Sequence, residues 1–245
     1  MSNLRSNFEI KRNNNIITIE NVNAGYGSLQ VLFNISFAIP EKSFVAIVGR
    51  NGAGKTTLLK TIAGFIKPYS GRIIYKNNDI TNLPPYKRAR MGLVYLRQDK
   101  RIFDNLTARE CLEITAYSFN KNKSDIEKVL EHFPRLKERI DSKSKFLSGG
   151  ERQMLLLAQG LLSGAEILMI DEPTEGLAAG VIRELLKVFI ELKKEAQKTI
   201  IVVEQNVQMV RMLADIVIVL AEGKIIDIIE DRNNIENLDL SKYKI

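Results

Sequence analysis

A chain of 245 residues with 45% hydrophobic and 27% charged side chains has the composition of a folded protein and the length of one large domain or two small ones, which excludes disorder as the main state. One Cys and one His exclude an intramolecular disulfide framework, a Cys-rich zinc site and a His-cluster metal site, and the Cys usage fits a reducing compartment. Lys and Arg number 36 against 29 Asp and Glu; the resulting +7 suits an acidic partner such as nucleic acid, anionic lipid or a phosphorylated ligand, or simply a surface of solvated lysines.

Residues 1–15 are polar and Asn-rich with no apolar stretch, so a flexible tail is expected rather than a signal peptide or an anchor. No apolar run reaches the roughly 18 residues of a spanning helix. The nearest, Leu213 to Ala221, contains Asp215. From Ile16 to Val48 the chain reads as short strands: Ile16 to Ile19, a Gly25-Tyr26-Gly27 turn, Val31 to Ile39 in rough alternation, then Ser43 to Val48. That last run is uniformly apolar, as in a strand covered on both faces.

After Gly49 and its glycines, Thr56 to Phe65 reads as a helix, and Gly71 to Tyr75 as a further β segment. From about Thr107 to Gly164 the pattern is helical, with Lys/Glu faces interrupted at Pro134 and at Ser148-Gly149-Gly150. Ile167 to Ile170 is a buried-strand signature ending in Asp171-Glu172. Val181, Leu185, Val188, Phe189 and Leu192 share a helical face, and Thr199 to Val203 is again fully apolar. Strands alternating with helices predict an α/β fold with a mostly parallel sheet and helices on both faces, the helical block being an insertion.

Gly49-Arg50-Asn51-Gly52-Ala53-Gly54-Lys55-Thr56 fits the pattern Gly, four variable residues, Gly, Lys, Ser/Thr. Glycines let the backbone curl so that successive N–H groups face phosphate oxygens, and the helix that follows adds its positive end. Gly49, Asn51, Gly52, Ala53, Gly54, Lys55, Thr56 and Thr57 are therefore candidate nucleotide contacts. Lys55 would reach the β and γ phosphates, and the Thr56 hydroxyl would ligate Mg²⁺. A glycine-rich turn with an incidental lysine is the alternative, but four fixed positions match by chance on the order of once in a hundred such chains. Asp171, at the carboxyl end of an apolar strand, is the candidate Mg²⁺ carboxylate. Glu172 is placed to accept a proton from an attacking water or to orient it. A solvated acidic pair would look the same in isolation.

With Leu147-Ser148-Gly149-Gly150-Glu151 upstream of Glu172, the whole pattern resembles the nucleotide-binding subunit of an ABC transporter, over roughly Ile16 to Asp227. The resemblance implies a P-loop NTPase (RecA-like) core with an N-terminal antiparallel β part and an inserted helical subdomain at about residues 99–164, within a single domain of residues 16–245. It further implies an ATPase that uses ATP and Mg²⁺ and works as a sandwich dimer, each nucleotide lying between one subunit's phosphate loop and the other's signature motif. Ser148, Gly149 and Gly150 suit that task, because a hydroxyl and amides at a helix N-terminus make an anion-binding surface. Tyr26 sits where the family stacks an aromatic ring on adenine, a core tyrosine being the bland alternative. Gln98 occupies the glutamine-loop position, expected at Mg²⁺ or the attacking water, although Arg97 to Arg101 could equally be an exposed polar loop.

Two positions depart from the family pattern. Gln205, in Val202-Val203-Glu204-Gln205, stands where most of the family has the switch histidine, and Ala178 stands where an aspartate is expected. A glutamine amide donates a hydrogen bond but holds no positive charge, and losing one transition-state donor costs roughly 2.7–4 kcal/mol. His132 precedes the signature motif and cannot substitute; a surface or core role is expected for it. These departures, with Phe133 to Arg139 and Arg101-Ile102-Phe103, resemble the LivF-type branch that serves branched-chain amino acid importers. Membership implies pairing with a LivG-type ATPase beneath two permease subunits, on the cytoplasmic membrane face, fed by an external binding protein. Import of urea or short amides by the same branch, a soluble ABC ATPase acting on nucleic acid or in cofactor assembly, and a regulatory module with negligible turnover are the alternatives. The chain has neither coiled-coil heptads nor an aromatic-basic strand pattern, so no nucleic-acid partner is expected.

Overall fold

The computed structural model describes residues 14–97, 103–194 and 198–243. Two long strands, β1 (Asn15–Tyr26) and β2 (Leu29–Pro40), pair antiparallel. Ile17, Ile19, Phe37 and Ile39 are buried while Thr18, Glu20 and Ala38 between them are only partly covered, the alternation of a sheet with one face on the core. The expected N-terminal tail lies outside the described residues up to position 13, and Asn15 already opens β1. β3 (Phe44–Val48) is buried throughout and runs by way of a glycine loop into α1 (Lys55–Ile62). β4 (Ser70–Tyr75) and β5 (Asn78–Asp79) complete a four-stranded antiparallel sheet in the order β2-β1-β4-β5. A short helix, α2 (Pro85–Arg90), then leads into β6 (Leu93–Leu96).

Between β6 and β7 (Ile167–Asp171) the described chain is helical: α3 (Ala108–Ser118), α4 (Lys123–Glu131), α5 (Pro134–Glu138) and α6 (Gly149–Leu162). The two apparent interruptions turn out to be helix starts. Pro134 takes the first position of α5, where a missing N–H costs nothing. Ser148 caps α6 in a reciprocal pair with Glu151, as Thr107 with Glu110 caps α3 and Asn122 with Asp125 caps α4. The chain continues through α7 (Ala179–Lys194), β8 (Thr199–Val203), α8 (Val207–Leu213), β9 (Ile216–Ala221), β10 (Lys224–Ile229) and α9 (Arg232–Glu236).

A six-stranded sheet runs in the order β10-β9-β3-β8-β7-β6, parallel from β9 to β6 with β10 antiparallel at its edge. Its central strands feed two cores. Ala46, Val48, Ile170 and Val202 pack with Leu155 and Ala158 of α6 and Leu185 and Phe189 of α7 on one face. Val45, Ile47, Met169 and Ile201 pack with Leu58 and Leu59 of α1 and with Ile17 and Phe37 of the antiparallel sheet on the other. Arg88, fully buried, donates to the carbonyls of Thr61, Ile62, Thr81 and Leu83 and so closes the end of α1; burial pulls its pKa down to about 10. Among the described residues, no helix is long and apolar enough to cross a membrane.

Candidate functional site

β3, β8 and β7 are neighbours in the sheet, with Ile47 opposite Val203 and Val203 opposite Asp171. Their carboxyl ends therefore meet at one edge, the place where open α/β sheets receive ligands. The ladder runs one step beyond the strands: Glu204 N donates to Ile47 O at 3.2 Å and Glu172 N to Val203 O at 3.0 Å. Three segments far apart in sequence, ending in Gly49, Gln205 and Glu172, are thereby held side by side.

The loop after β3 needs its glycines for two separate reasons. A Cβ on Gly49 would lie 2.2 Å from the Leu220 carbonyl oxygen, so only a bare backbone fits against β9. Gly54 has φ 103° and precedes α1 with no side-chain cap, which leaves the first N–H groups of the helix without a side-chain acceptor. Ala53 is buried and buttresses the loop, its N–H donating to Arg50 O and its carbonyl accepting from Gly223 N. Lys55, 5% exposed, donates through Nζ to Gly49 O at 2.9 Å and Arg50 O at 3.1 Å. Its Nζ also stands 3.8 Å from Glu172 Oε1. Burial lowers the Lys55 pKa, and the negative charges of Glu172 and Asp171 oppose the shift. Asn51, Gly52, Gly54, Lys55, Thr56, Thr57 and Glu172 line a cleft of about 390 Å³.

Asp171, buried at the end of β7, accepts from Thr56 Oγ1 at 3.1 Å on one oxygen and from the Tyr95 hydroxyl at 2.8 Å on the other. Burial raises its pKa, and these two hydrogen bonds hold it back. Among the described residues no cluster of three His, Cys, Asp or Glu side chains forms a metal cage. The Thr56–Asp171 pair offers hard oxygen donors of the kind Mg²⁺ accepts when phosphates complete its coordination. Glu172 has φ 49°, the left-handed region, which a non-glycine residue adopts only when its surroundings enforce it. Gln205 holds the Glu172 carboxylate from the side: Nε2 donates to Glu172 Oε1 at 3.0 Å and to Asn51 Oδ1 at 2.9 Å. Burial raises the Glu172 pKa, with the Gln205 hydrogen bond acting in the opposite sense.

Not every sequence candidate gathers here. Ser148 and Gly149 are exposed at the start of α6, Tyr26 is 48% exposed at the end of β1, and none of them lines the cleft. Gly150 is buried against α7, where a Cβ would meet Val181 Cγ1 at 2.6 Å. Gln98 lies outside the described residues. His132 ends α4 with Nδ1 3.6 Å from a Glu191 carboxylate oxygen, beside a separate cleft of about 420 Å³. Tyr95, Thr174 and Glu204 were missed as site residues. Tyr95 could have been found only by knowing that β6 lies against β7; Glu204 was signalled by a charge directly after an apolar run.

A parallel sheet that delivers a glycine loop, a lysine, a hydroxyl and two carboxylates to one edge defines a P-loop nucleotide-binding protein. Residues 32–175 match the family model described as ABC transporter. The chain is 40% identical over 206 residues to the "Probable branched-chain amino acid transport ATP-binding protein LivF" of Archaeoglobus fulgidus, covering 83% of this chain and 87% of that protein. It is 35% identical to the "High-affinity branched-chain amino acid transport ATP-binding protein BraG" of Pseudomonas aeruginosa, covering 86% and 91%. The crystal structure of a nucleotide-free ATP-binding cassette from an ABC transporter superposes with a TM-score of 0.81 at 27% identity, covering 94% of this chain and 97% of that one. The chain belongs to the ABC transporter ATP-binding family and is an ATPase of that family.

Proposed function

We propose that this chain hydrolyses ATP to power an ABC importer for branched-chain amino acids, as one half of a nucleotide sandwich. The observation that carries the reading is the placement of Glu172: strained at φ 49°, 3.8 Å from Lys55 and hydrogen-bonded by Gln205 at the mouth of the phosphate cleft. Likeness along most of the chain to LivF and BraG supports the choice of substrate.

The roles follow from the donors and acceptors. The loop from Gly49 to Gly54 and the start of α1 present N–H groups to the phosphates, and Thr57 extends that lining. Lys55 exchanges the carbonyls of Gly49 and Arg50 for phosphate oxygens, a trade from neutral to charged acceptors. Glu172 takes the proton of the attacking water; a carboxyl whose pKa is raised by burial is the better base for it. Gln205 holds Glu172 and Asn51 together and offers its amide to the γ-phosphate oxygens. Thr56 and Asp171 would hold Mg²⁺, with Gln98 as the further ligand; the ion, when bound, neutralises charge on the phosphates.

Tyr26 stacks on the adenine. Ser148, Gly149 and Gly150 serve the nucleotide of the neighbouring subunit; their position outside this chain's own cleft supports a site shared across two chains. The partner is an unlike, LivG-type ATPase, and the pair sits beneath two permease subunits on the cytoplasmic membrane face, supplied by an external binding protein. The test is reconstitution of the four subunits in vesicles with the binding protein. ATP-dependent uptake of leucine supports the reading. Uptake of urea or a short amide instead, or full ATPase activity in a homodimer of this chain, overturns the substrate or the pairing respectively.

A further inference from the structure

Glu204 is 3% exposed, directly after β8, and one of its carboxyl oxygens gathers three donors. Oε1 accepts from Thr174 Oγ1 at 2.8 Å, from Gln205 N at 2.9 Å and from Asn206 N at 2.9 Å. Oε2 is buried with no hydrogen-bond partner. Burying half of a carboxyl without a partner is costly, so nothing about stability alone recommends a glutamate here. What the side chain does achieve is geometric. Thr174 lies two residues beyond Glu172, and Gln205 is the residue whose amide holds Glu172. A closed ring results: Glu172, the main chain to Thr174, the Thr174 hydroxyl on Glu204, the main chain to Gln205, and the Gln205 amide back on Glu172. The same oxygen fixes the N–H groups of Gln205 and Asn206, at the entry to α8, and so sets the direction in which Gln205 leaves the sheet.

We infer that Glu204 is a positioning residue for hydrolysis, which ties the loop carrying Glu172 to the loop carrying Gln205 so that the two side chains meet. The inference rests on the role given to Glu172 and Gln205 above. It explains how an uncharged amide can serve at the switch: Gln205 cannot be drawn to the phosphate by charge, so its backbone is clamped in place.

The test uses phosphate release by the assembled transporter at saturating ATP and Mg²⁺, with KM from the same titration. Glu204→Ala is expected to lower kcat about 10- to 100-fold, the cost of a small misplacement, and to leave KM within about threefold. Glu204→Gln keeps the accepting oxygen and puts an amide where Oε2 stands, and is expected to restore kcat to within about threefold of the parent. In a Gln205→Ala background, Glu204→Ala should cost no more than about twofold further, because residues acting through one contact are not additive. Losses that multiply in the double variant, a Glu204→Gln protein as slow as Glu204→Ala, or a KM that rises as much as kcat falls would overturn the inference. Should Glu204→Ala not fold, Thr174→Val takes its place in the same cycle with Gln205→Ala and the same reading. Failure of the Glu172 assignment is seen separately, as normal turnover by Glu172→Gln, whatever the cycle shows.

Discussion

The side-chain amide of Gln205 donates to Glu172 Oε1 at 3.0 Å while also holding Asn51 Oδ1 at 2.9 Å, so one residue ties the strand-end carboxylate to the phosphate loop. Gln205→Ala removes both bonds without touching Lys55 or Thr56. The expected result is a drop in kcat of about 100-fold, typical for one lost transition-state donor. ATP affinity, measured by equilibrium binding, should stay within about threefold, since Lys55 and the phosphate-loop amides that hold most of the nucleotide are unchanged.

Tyr95 donates to the Asp171 oxygen that Thr56 does not bond, which fixes the plane of the carboxyl group. Tyr95→Phe keeps the ring, packed 5.8 Å from that of Phe65, and deletes the donor. Loss of a partner that orients a metal ligand costs about 10- to 100-fold in metal affinity. Titrating hydrolysis with Mg²⁺ should therefore show a higher half-saturation for Tyr95→Phe, with turnover recovered at high Mg²⁺; an unchanged Mg²⁺ dependence would remove Tyr95 from this role.

Burial raises the Asp171 pKa above that of an ordinary aspartate. A raised carboxyl pKa stabilises the fold fully below the unfolded-state value, and that contribution is lost as pH rises through the folded-state value. At a pH above that folded-state value the ligand-free protein thus carries the cost of a buried charge. Asp171→Asn should raise the melting temperature there, by roughly 2–4 °C for each kcal/mol recovered in a chain of this size. The gain should vanish below the pKa of an exposed aspartate, and ATP hydrolysis should be lost at every pH.

Gly150 bears on the position of the signature segment. A methyl group there would stand 2.6 Å from Val181 Cγ1, so Gly150→Ala should push α6 from α7 and cost about 1–3 kcal/mol, the usual price of overpacking. Trimming the neighbour, in the double variant Gly150→Ala with Val181→Ala, should recover most of the lost melting temperature. Equal melting temperatures for the single variant and the parent would contradict the contact.

The phosphate loop, Asp171 and Glu172 were legible in the sequence because each sits where an apolar run meets a polar or glycine residue, and that junction is itself the structural requirement. The uniformly apolar runs Val45 to Val48 and Thr199 to Val203 gave buried parallel strands for the same reason. Ser148-Gly149-Gly150 interrupts the helical pattern and was legible as a helix N-terminus, which the reciprocal cap with Glu151 makes it; the sequence alone did not show that cap. Arg88 gave no sign of being buried, since its carbonyl partners come from α1 and from the turn before α2. Tyr95 depends on strand order, and so does what Glu204 reaches, although its charge after an apolar run marks it: nothing along the chain says that β6 lies beside β7 or that β8 lies between β3 and β7. Pairing across a parallel sheet is set by crossovers, and short-range patterns do not record it.

The assignment of Glu172 as the residue that activates water is tested most directly by steady-state phosphate release from Glu172→Gln in the assembled transporter, read together with retention of nucleotide. The amide keeps the size of the side chain and a hydrogen-bonding group toward Gln205, but it cannot take a proton. Hydrolysis should fall by about 100-fold or more while ATP stays bound in a stable dimer. Turnover at the rate of the unaltered protein would contradict the assignment and move the proton acceptor elsewhere in the cleft.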